Sequence, residues 1–239
     1  SVNTVFRVVL IVIFCVESFG SNSKTNFVRV VFNKNASYEA TIIWNQLSGE
    51  FIQLVMDKSY PDQNASSHSL SDENHYKGMD NHVVRLKNLE PNTRYYFYIE
   101  DSEGKNQVYY FTTVSDDSND KISFIAGGDS RDTRIVRVKA NLMVSKLKAH
   151  AVLFNGDFTG IDTERQWKEW FTDWESSIAS DGRITPLVVT RGNHELGNRV
   201  MLRLFDVPHS KVYYSTTFGG DLLNLISLNS EIWKFGSQR

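Results

Sequence analysis

From Asn26 to about Val114, short runs rich in β-branched and aromatic residues are separated by polar stretches. Several of these runs alternate apolar with polar residues, the period of two that a half-buried strand requires. Val28 to Phe32, Tyr38 to Trp44, Phe51 to Met56, His82 to Leu89, Arg94 to Glu100 and Val108 to Val114 are the predicted strands, and their spacing predicts an all-β sandwich. Ser59 to Asn81 reads as a polar loop within it. After the polar linker Ser115 to Asp120 the pattern changes. Apolar strands at Ile122 to Ala126, Ala151 to Phe154 and Leu187 to Thr190 alternate with helical stripes, which predicts an α/β domain. One stripe is Val136, Ala140, Met143 and Leu147. The other is Trp167, Trp170, Phe171, Trp174 and Ile178, preceded by Thr163 and Gln166 at capping-box spacing. A tryptophan row can serve as a carbohydrate platform, but this one has the width and spacing of a helix packed on a sheet.

Length and charge narrow this picture. A chain of 239 residues, 41% hydrophobic, accommodates two ordinary domains and a linker. With 26 basic and 28 acidic residues intermixed, the net charge of −2 leaves no footprint for nucleic acid or an anionic membrane. Arg7 precedes an apolar run from Val8 to Val16 that ends in Ser18-Phe19-Gly20, the layout of an export signal over residues 1–20 with a mature start near Ser21. The run is too short to span a bilayer, so no transmembrane segment is expected in the mature chain. The expected location is exported: periplasmic, cell-surface or secreted. Cys15, the only cysteine, falls inside the signal; Phe14 stands where lipidation of Cys15 would want a small residue. The mature chain then has neither a disulfide nor a thiolate metal ligand.

Leu89-Glu90-Pro91-Asn92-Thr93-Arg94-Tyr95-Tyr96 resembles the E-to-F corner of fibronectin type III domains. In such a corner Leu89 closes the core, Pro91 fixes the turn, and the Tyr95 hydroxyl bonds back to the corner backbone. Trp44 fits the buried tryptophan of these sandwiches. His68, His75 and His82, with Asp62, Asp72, Glu73 and Asp80 nearby, allow a metal cluster to be imagined, but solvated histidines in a polar loop are the simpler and preferred account. Asn35-Ala36-Ser37 and Asn64-Ala65-Ser66 match the glycosylation pattern, a signal short enough to arise by chance.

In the second half each predicted strand runs into a candidate ligand. Ile122 to Ala126 leads to Gly127-Gly128-Asp129-Ser130-Arg131, Ala151 to Phe154 to Asn155-Gly156-Asp157, and Leu187 to Thr190 to Arg191-Gly192-Asn193-His194-Glu195. Open α/β sheets place their sites beyond the carboxyl ends of strands. Asp129, Asp157 and Asn193 are hard oxygen donors, the type that two divalent cations about 3.5 to 4 Å apart need for attack of water on phosphorus. Any one fragment alone would be an ordinary Gly-Asp turn. Three in order, each capping a strand, form a pattern.

This layout resembles the calcineurin-like metallophosphoesterases, and with the fibronectin type III-like module in front it resembles the two-domain build of the purple acid phosphatases. The resemblance covers the chain from about Asn26 onward. It implies an all-β sandwich at 24–115 followed by an α/β four-layer metallophosphoesterase domain at 121–239, of which the amino-terminal part is present. It implies that Asp129 binds a first metal, Asp157 bridges two metals and Asn193 binds the second. It also implies that His194 contacts the phosphoryl group or protonates the leaving oxygen, with Glu195 orienting it.

Two positions depart from the family. Arg131 stands two residues after the first Asp, where a ligand His is usual; bacterial relatives with a Gly-Asp-Ser-Arg start suggest that it holds substrate phosphate. Gly160 stands where purple acid phosphatases carry their metal-binding Tyr, so no iron-tyrosinate centre is expected. The family's remaining ligands come from Val-x-x-His and Gly-His-x-His signatures farther along. Only His209 follows His194, in Val207-Pro208-His209-Ser210, and it reads as structural or exposed. The apolar stretch from Asp221 to Ser230 resembles the strand before those signatures, so the chain is expected to be carboxy-terminally truncated.

The expected function is hydrolysis of phosphoric esters by a metal-bound hydroxide at a dinuclear centre of Fe, Zn or Mn, poorly active without the missing histidines. A nucleotidase or phosphodiesterase on the same site is a rival within this class. From a different class comes an exported binding module whose phosphoesterase-like domain is inactive scaffold.

Overall fold

The computed structural model of the chain describes residues 23–61 and 64–233. The proposed export signal, with Cys15, and Asp62 lie outside the described residues. Nine strands occupy the amino-terminal half: β1 (Thr25–Val31), β2 (Ala40–Gln46), β3 (Phe51–Asp57), β4 (Ser66–His68), β5 (Asp72–Tyr76), β6 (Met79–Leu86), β7 (Arg94–Asp101), β8 (Gly104–Lys105) and β9 (Tyr109–Thr112). They form two facing layers, one with β1, β2, β6 and β5 and the other with β4, β3, β7 and β8, where β9 also pairs β7. The six expected strands are present. The expected polar loop from Ser59 to Asn81 is not a loop throughout, because β4, β5 and the start of β6 fall within it. β5 exposes most of its side chains and is held by antiparallel pairing with β6, so backbone hydrogen bonding, which leaves no apolar period, makes the strand.

The corner at Pro91 forms as expected. The Glu90 amide donates to the Tyr95 hydroxyl at 2.8 Å, Leu89 is buried, and Trp44 is wholly buried against Phe51.

The second half contributes β10 (Phe124–Gly127), α1 (Arg134–Lys146), β11 (Ala151–Asn155), α2 (Glu164–Trp174), β12 (Leu187–Thr190), α3 (Arg199–Phe205) and a hairpin of β13 (Tyr214–Phe218) with β14 (Leu223–Ser227). β10, β11 and β12 run parallel and adjacent. They are not a separate sheet. β12 also pairs in parallel with β1 through Val31 and Leu187, giving one seven-stranded sheet in the order β10-β11-β12-β1-β2-β6-β5. The two halves therefore share a core. Phe27 of β1 stacks on Phe171 of α2, and the fully buried Arg29 donates to the Leu204 carbonyl of α3 and to Asn81 Oδ1 of β6.

α2 buries its tryptophan face as expected, with the Thr163 hydroxyl capping the Gln166 amide. The expected stripe on α1 is inverted. Val136, Met143 and Leu147 are exposed, and the helix buries Arg137, Asn141 and Val144 instead. The physical reason is Asp173 on α2. This acid receives two bonds from Arg137, at 3.0 and 2.6 Å, while Asn141 donates to its carbonyl at 2.8 Å. A paired polar contact, invisible to a hydrophobicity pattern, turns the helix.

Candidate metal centre

Three loops leave the carboxyl ends of β10, β11 and β12 side by side, and they carry Asp129, Asp157 and Asn193-His194. Asp129 and Asp157 both adopt left-handed backbone, at φ 50° and 53°, a conformation that L-residues other than Asn and Asp rarely accept. The Asp129 amide donates to the Gly156 carbonyl at 2.9 Å, and the Arg131 amide donates to the Asp157 carbonyl at 3.1 Å, so the first two loops are tied backbone to backbone. Gly156 has φ 69°, and a Cβ there would collide with the Gly192 backbone. A Cβ on Gly192 would likewise strike the Asp157 carboxylate. The second and third loops are in contact at these two glycines, which only glycine permits.

Asp157 is buried, whereas the Asp129 side chain is 67% exposed. Oδ1 of Asp157 accepts from the His194 amide at 3.0 Å, and Oδ2 faces Arg131 Nη2 at 3.4 Å. Arg131 also donates from Nε to Asp129 Oδ1 at 2.5 Å. The guanidinium thus bridges the two carboxylates. Asn193 is exposed at the rim beside them.

His194 and Glu195 divide their labour differently from expectation. The His194 ring donates from Nδ1 to the Gly160 carbonyl at 2.5 Å, which fixes the proton on Nδ1 and leaves Nε2 as the working nitrogen. Glu195 forms no hydrogen bond with that ring. Fully buried, it accepts from the amides of Gly192 at 2.7 Å, Asp157 at 3.0 Å and Phe158 at 2.8 Å, clamping the second loop to the third. Burial pushes its carboxyl above the usual glutamate range despite those three donors. Gly160, noted in the sequence only as an absent tyrosine, is the residue whose carbonyl orients the histidine. Its backbone role left no signal in the sequence.

The remaining histidines stay apart from this centre. His75 pairs with Asp80 at 2.6 Å, His82 lies 3.8 Å from Glu73, His150 accepts from the Ser123 amide at 3.1 Å, and His209 packs at a tilt on Tyr213. His68 stands on β4, in the other layer. Among the described residues no group of three His, Cys, Asp or Glu side chains converges as a metal site. Asp129, Asp157 and Asn193 therefore fit a hard divalent cation in donor chemistry but fall short of a complete set in number. The cationic Arg131 lies against both carboxylates.

Residues 25–113 match the family model described as the N-terminal domain of purple acid phosphatase, and residues 133–235 match that of calcineurin-like phosphoesterase. The chain thus resembles the purple acid phosphatases in the order of its two matched regions. The second match spans Asp157, Asn193 and His194 and begins after Asp129 and Arg131. Among solved structures, the purple acid phosphatase PPD1 from yellow lupin (Lupinus luteus) seeds is similar over 82% of this chain and 43% of its own, at 13% identity and TM-score 0.62. PhoD is similar over 84% of this chain and 51% of its own, at 14% identity and TM-score 0.55. Identities this low make the likeness one of fold, a β-rich amino-terminal domain followed by an α/β phosphoesterase-like domain. The chain spans about half the length of these two structures.

Proposed function

We propose that the chain carries part of a metal-dependent phosphoric ester hydrolase with a dinuclear centre, its β-module at 24–115 and its catalytic module at 121–239. The observation that supports this reading is the meeting of the Asp129, Asp157 and His194 loops at the ends of three adjacent parallel strands. Asp129, Asp157 and Asn193 would hold two cations of the Fe, Zn or Mn class, with Asp157 between them. Bound there, the cations would supply charge neutralisation at the phosphoryl group and an activated water. Asp157 presents one oxygen to the His194 amide and the other toward Arg131, between the two loops whose donors would share the cations.

His194 holds Nδ1–H against the Gly160 carbonyl and directs Nε2 away from it, where Nε2 can contact the phosphoryl group or, in the imidazolium form that carries a second proton, give that proton to the leaving oxygen. Arg131 would give its carboxylate contacts over to cations and turn its planar fork to the substrate phosphate. The substrate class is a phosphoester small molecule, and the first 20 residues support an exported protein. No helix among the described residues is long and apolar enough to cross a membrane.

The test is hydrolysis of p-nitrophenyl phosphate by protein containing this chain, with Mn2+, Zn2+ or Fe2+ supplied, compared with Asp157→Ala. Turnover that depends on metal and disappears in the variant is expected; turnover retained without Asp157 ends the proposal. One observation favours the second reading, an exported binder with an inactive phosphoesterase scaffold: Arg131 already neutralises both carboxylates. Protein that purifies without Zn, Mn or Fe, and gains no hydrolysis when they are added, makes that reading the better one.

A further inference from the structure

Resting on the reading of Arg131 as the phosphate-facing residue, we propose that Arg137 is a positioning residue for Arg131, itself anchored by Asp173. Arg131 has φ 36°, in the left-handed region that a long side chain avoids. Such a conformation persists only where its surroundings over-determine it. Here the Arg131 amide is held by the Asp157 carbonyl at 3.1 Å, and its own carbonyl receives Nη1 of Arg137. The main chain of Arg131 is therefore gripped on both sides, and one grip comes from the first turn of α1, the helix that follows directly on this loop.

The grip is built with unusual materials. The Arg137 and Asp173 side chains are each 3% exposed, and they meet through Nη2 at 2.6 Å and Nε at 3.0 Å. Buried ion pairs of this kind seldom stabilise more than an apolar pair of the same volume would, so stability alone is a weak reason for this one. Geometry is a stronger one. A guanidinium can fork, two nitrogens to the carboxylate and the third to a carbonyl, whereas an ammonium cannot span both partners in a fixed plane. α1 presents Arg137 inward at the cost of leaving Ile135 and Val136 in solvent, which is the arrangement expected if the fork matters more than the stripe.

The experiment uses the whole chain with Arg137→Lys, which keeps the charge and loses the fork, and with Asp173→Asn, which keeps the shape and loosens the anchor. Hydrogen exchange by mass spectrometry and calorimetric binding of inorganic phosphate are measured for each, alone and in an Arg131→Ala background. Exchange over residues 128–132 is expected to accelerate about tenfold while β11 and β12 stay within about twofold. Phosphate affinity should fall about tenfold in either variant and by less than about twofold further once Arg131 is alanine, because residues acting through one another are non-additive. Uniform acceleration across the core, or losses that simply add, overturns the proposal. If Arg137→Lys does not fold, Asp173→Asn decides. Absence of phosphate binding in the wild type refutes the role given to Arg131 under the proposed function, and the exchange pattern then decides Arg137 on its own.

Discussion

Val31 and Leu187 are register partners in a parallel pairing, and at that point the strands of the two halves become one sheet. The Phe32 amide extends the joint by donating to the Leu187 carbonyl at 2.9 Å. Phe27, Val30, Val31 and Phe32 consequently belong to a single core to which both halves contribute. The whole chain should unfold in urea as one transition, with far-UV circular dichroism and tryptophan fluorescence coincident. A fragment of residues 24–115 should be insoluble or unfolded; a folded, soluble fragment would contradict the shared core.

Arg29 makes the same joint polar. Its guanidinium lies 4.4 Å from the Phe171 ring centroid and donates to the Phe27 and Leu204 carbonyls and to Asn81. No carboxylate is among these partners, and burial lowers the guanidinium to about 9. Arg29→Met should orphan three buried acceptors and remove roughly 3 kcal/mol of stability, measured by urea titration.

Asp173 offers a pH test. Burial alone would raise its pKa, but hydrogen bonds from Arg134 and Arg137 outweigh burial and hold it below the usual aspartate range. A carboxylate held low contributes stability that is present above its unfolded value of about 3.9 and is lost as pH falls below that value through the folded one. Asp173→Asn should therefore be less stable by roughly 3 kcal/mol at neutral pH and show a shallower loss below about pH 4. Parallel acid-unfolding curves for the two proteins would rule this out.

Much of this was legible in the sequence, and what was not has a physical cause in each case. Asp129, Asp157 and Asn193 were visible because each follows an apolar strand and a glycine, a local signal. The Tyr95 corner was visible for the same reason. The orientation of α1 was not, since Arg137 and Asn141 are buried by a partner 36 and 32 residues away. β5 was hidden by its polar side chains, and the merged sheet by a contact between residues 31 and 187. The Glu195 clamp uses backbone amides, which every residue but proline carries alike.

Gly192→Ala should damage the centre without touching a ligand. The added methyl group meets the Asp157 carboxylate and comes within 2.5 Å of the Asp157 amide. Mn2+ affinity measured by calorimetry should fall about tenfold or more, the usual scale for displacing an oriented ligand.

α1 and β10 suggest an association test. Ile135, Val136 and Met143 are 76%, 65% and 53% exposed, and β10 ends the sheet with no partner strand on its outer side among the described residues. Open edges beside apolar surface associate. Sedimentation should reveal concentration-dependent self-association that Val136→Lys with Met143→Lys suppresses. A wild-type chain that stays monomeric at every concentration would end this expectation.

The Gly160 carbonyl carries a consequence for how such a centre is mapped. Because His194 takes its tautomer from the main chain, a side-chain saturation scan has nothing to delete there. A scan reaches that carbonyl only by adding a side chain at Gly160, which would meet the Asp132 carboxylate and move the main chain. Replacing the amide linkage after Gly160 with an ester weakens the acceptor that sets the ring and leaves every side chain in place.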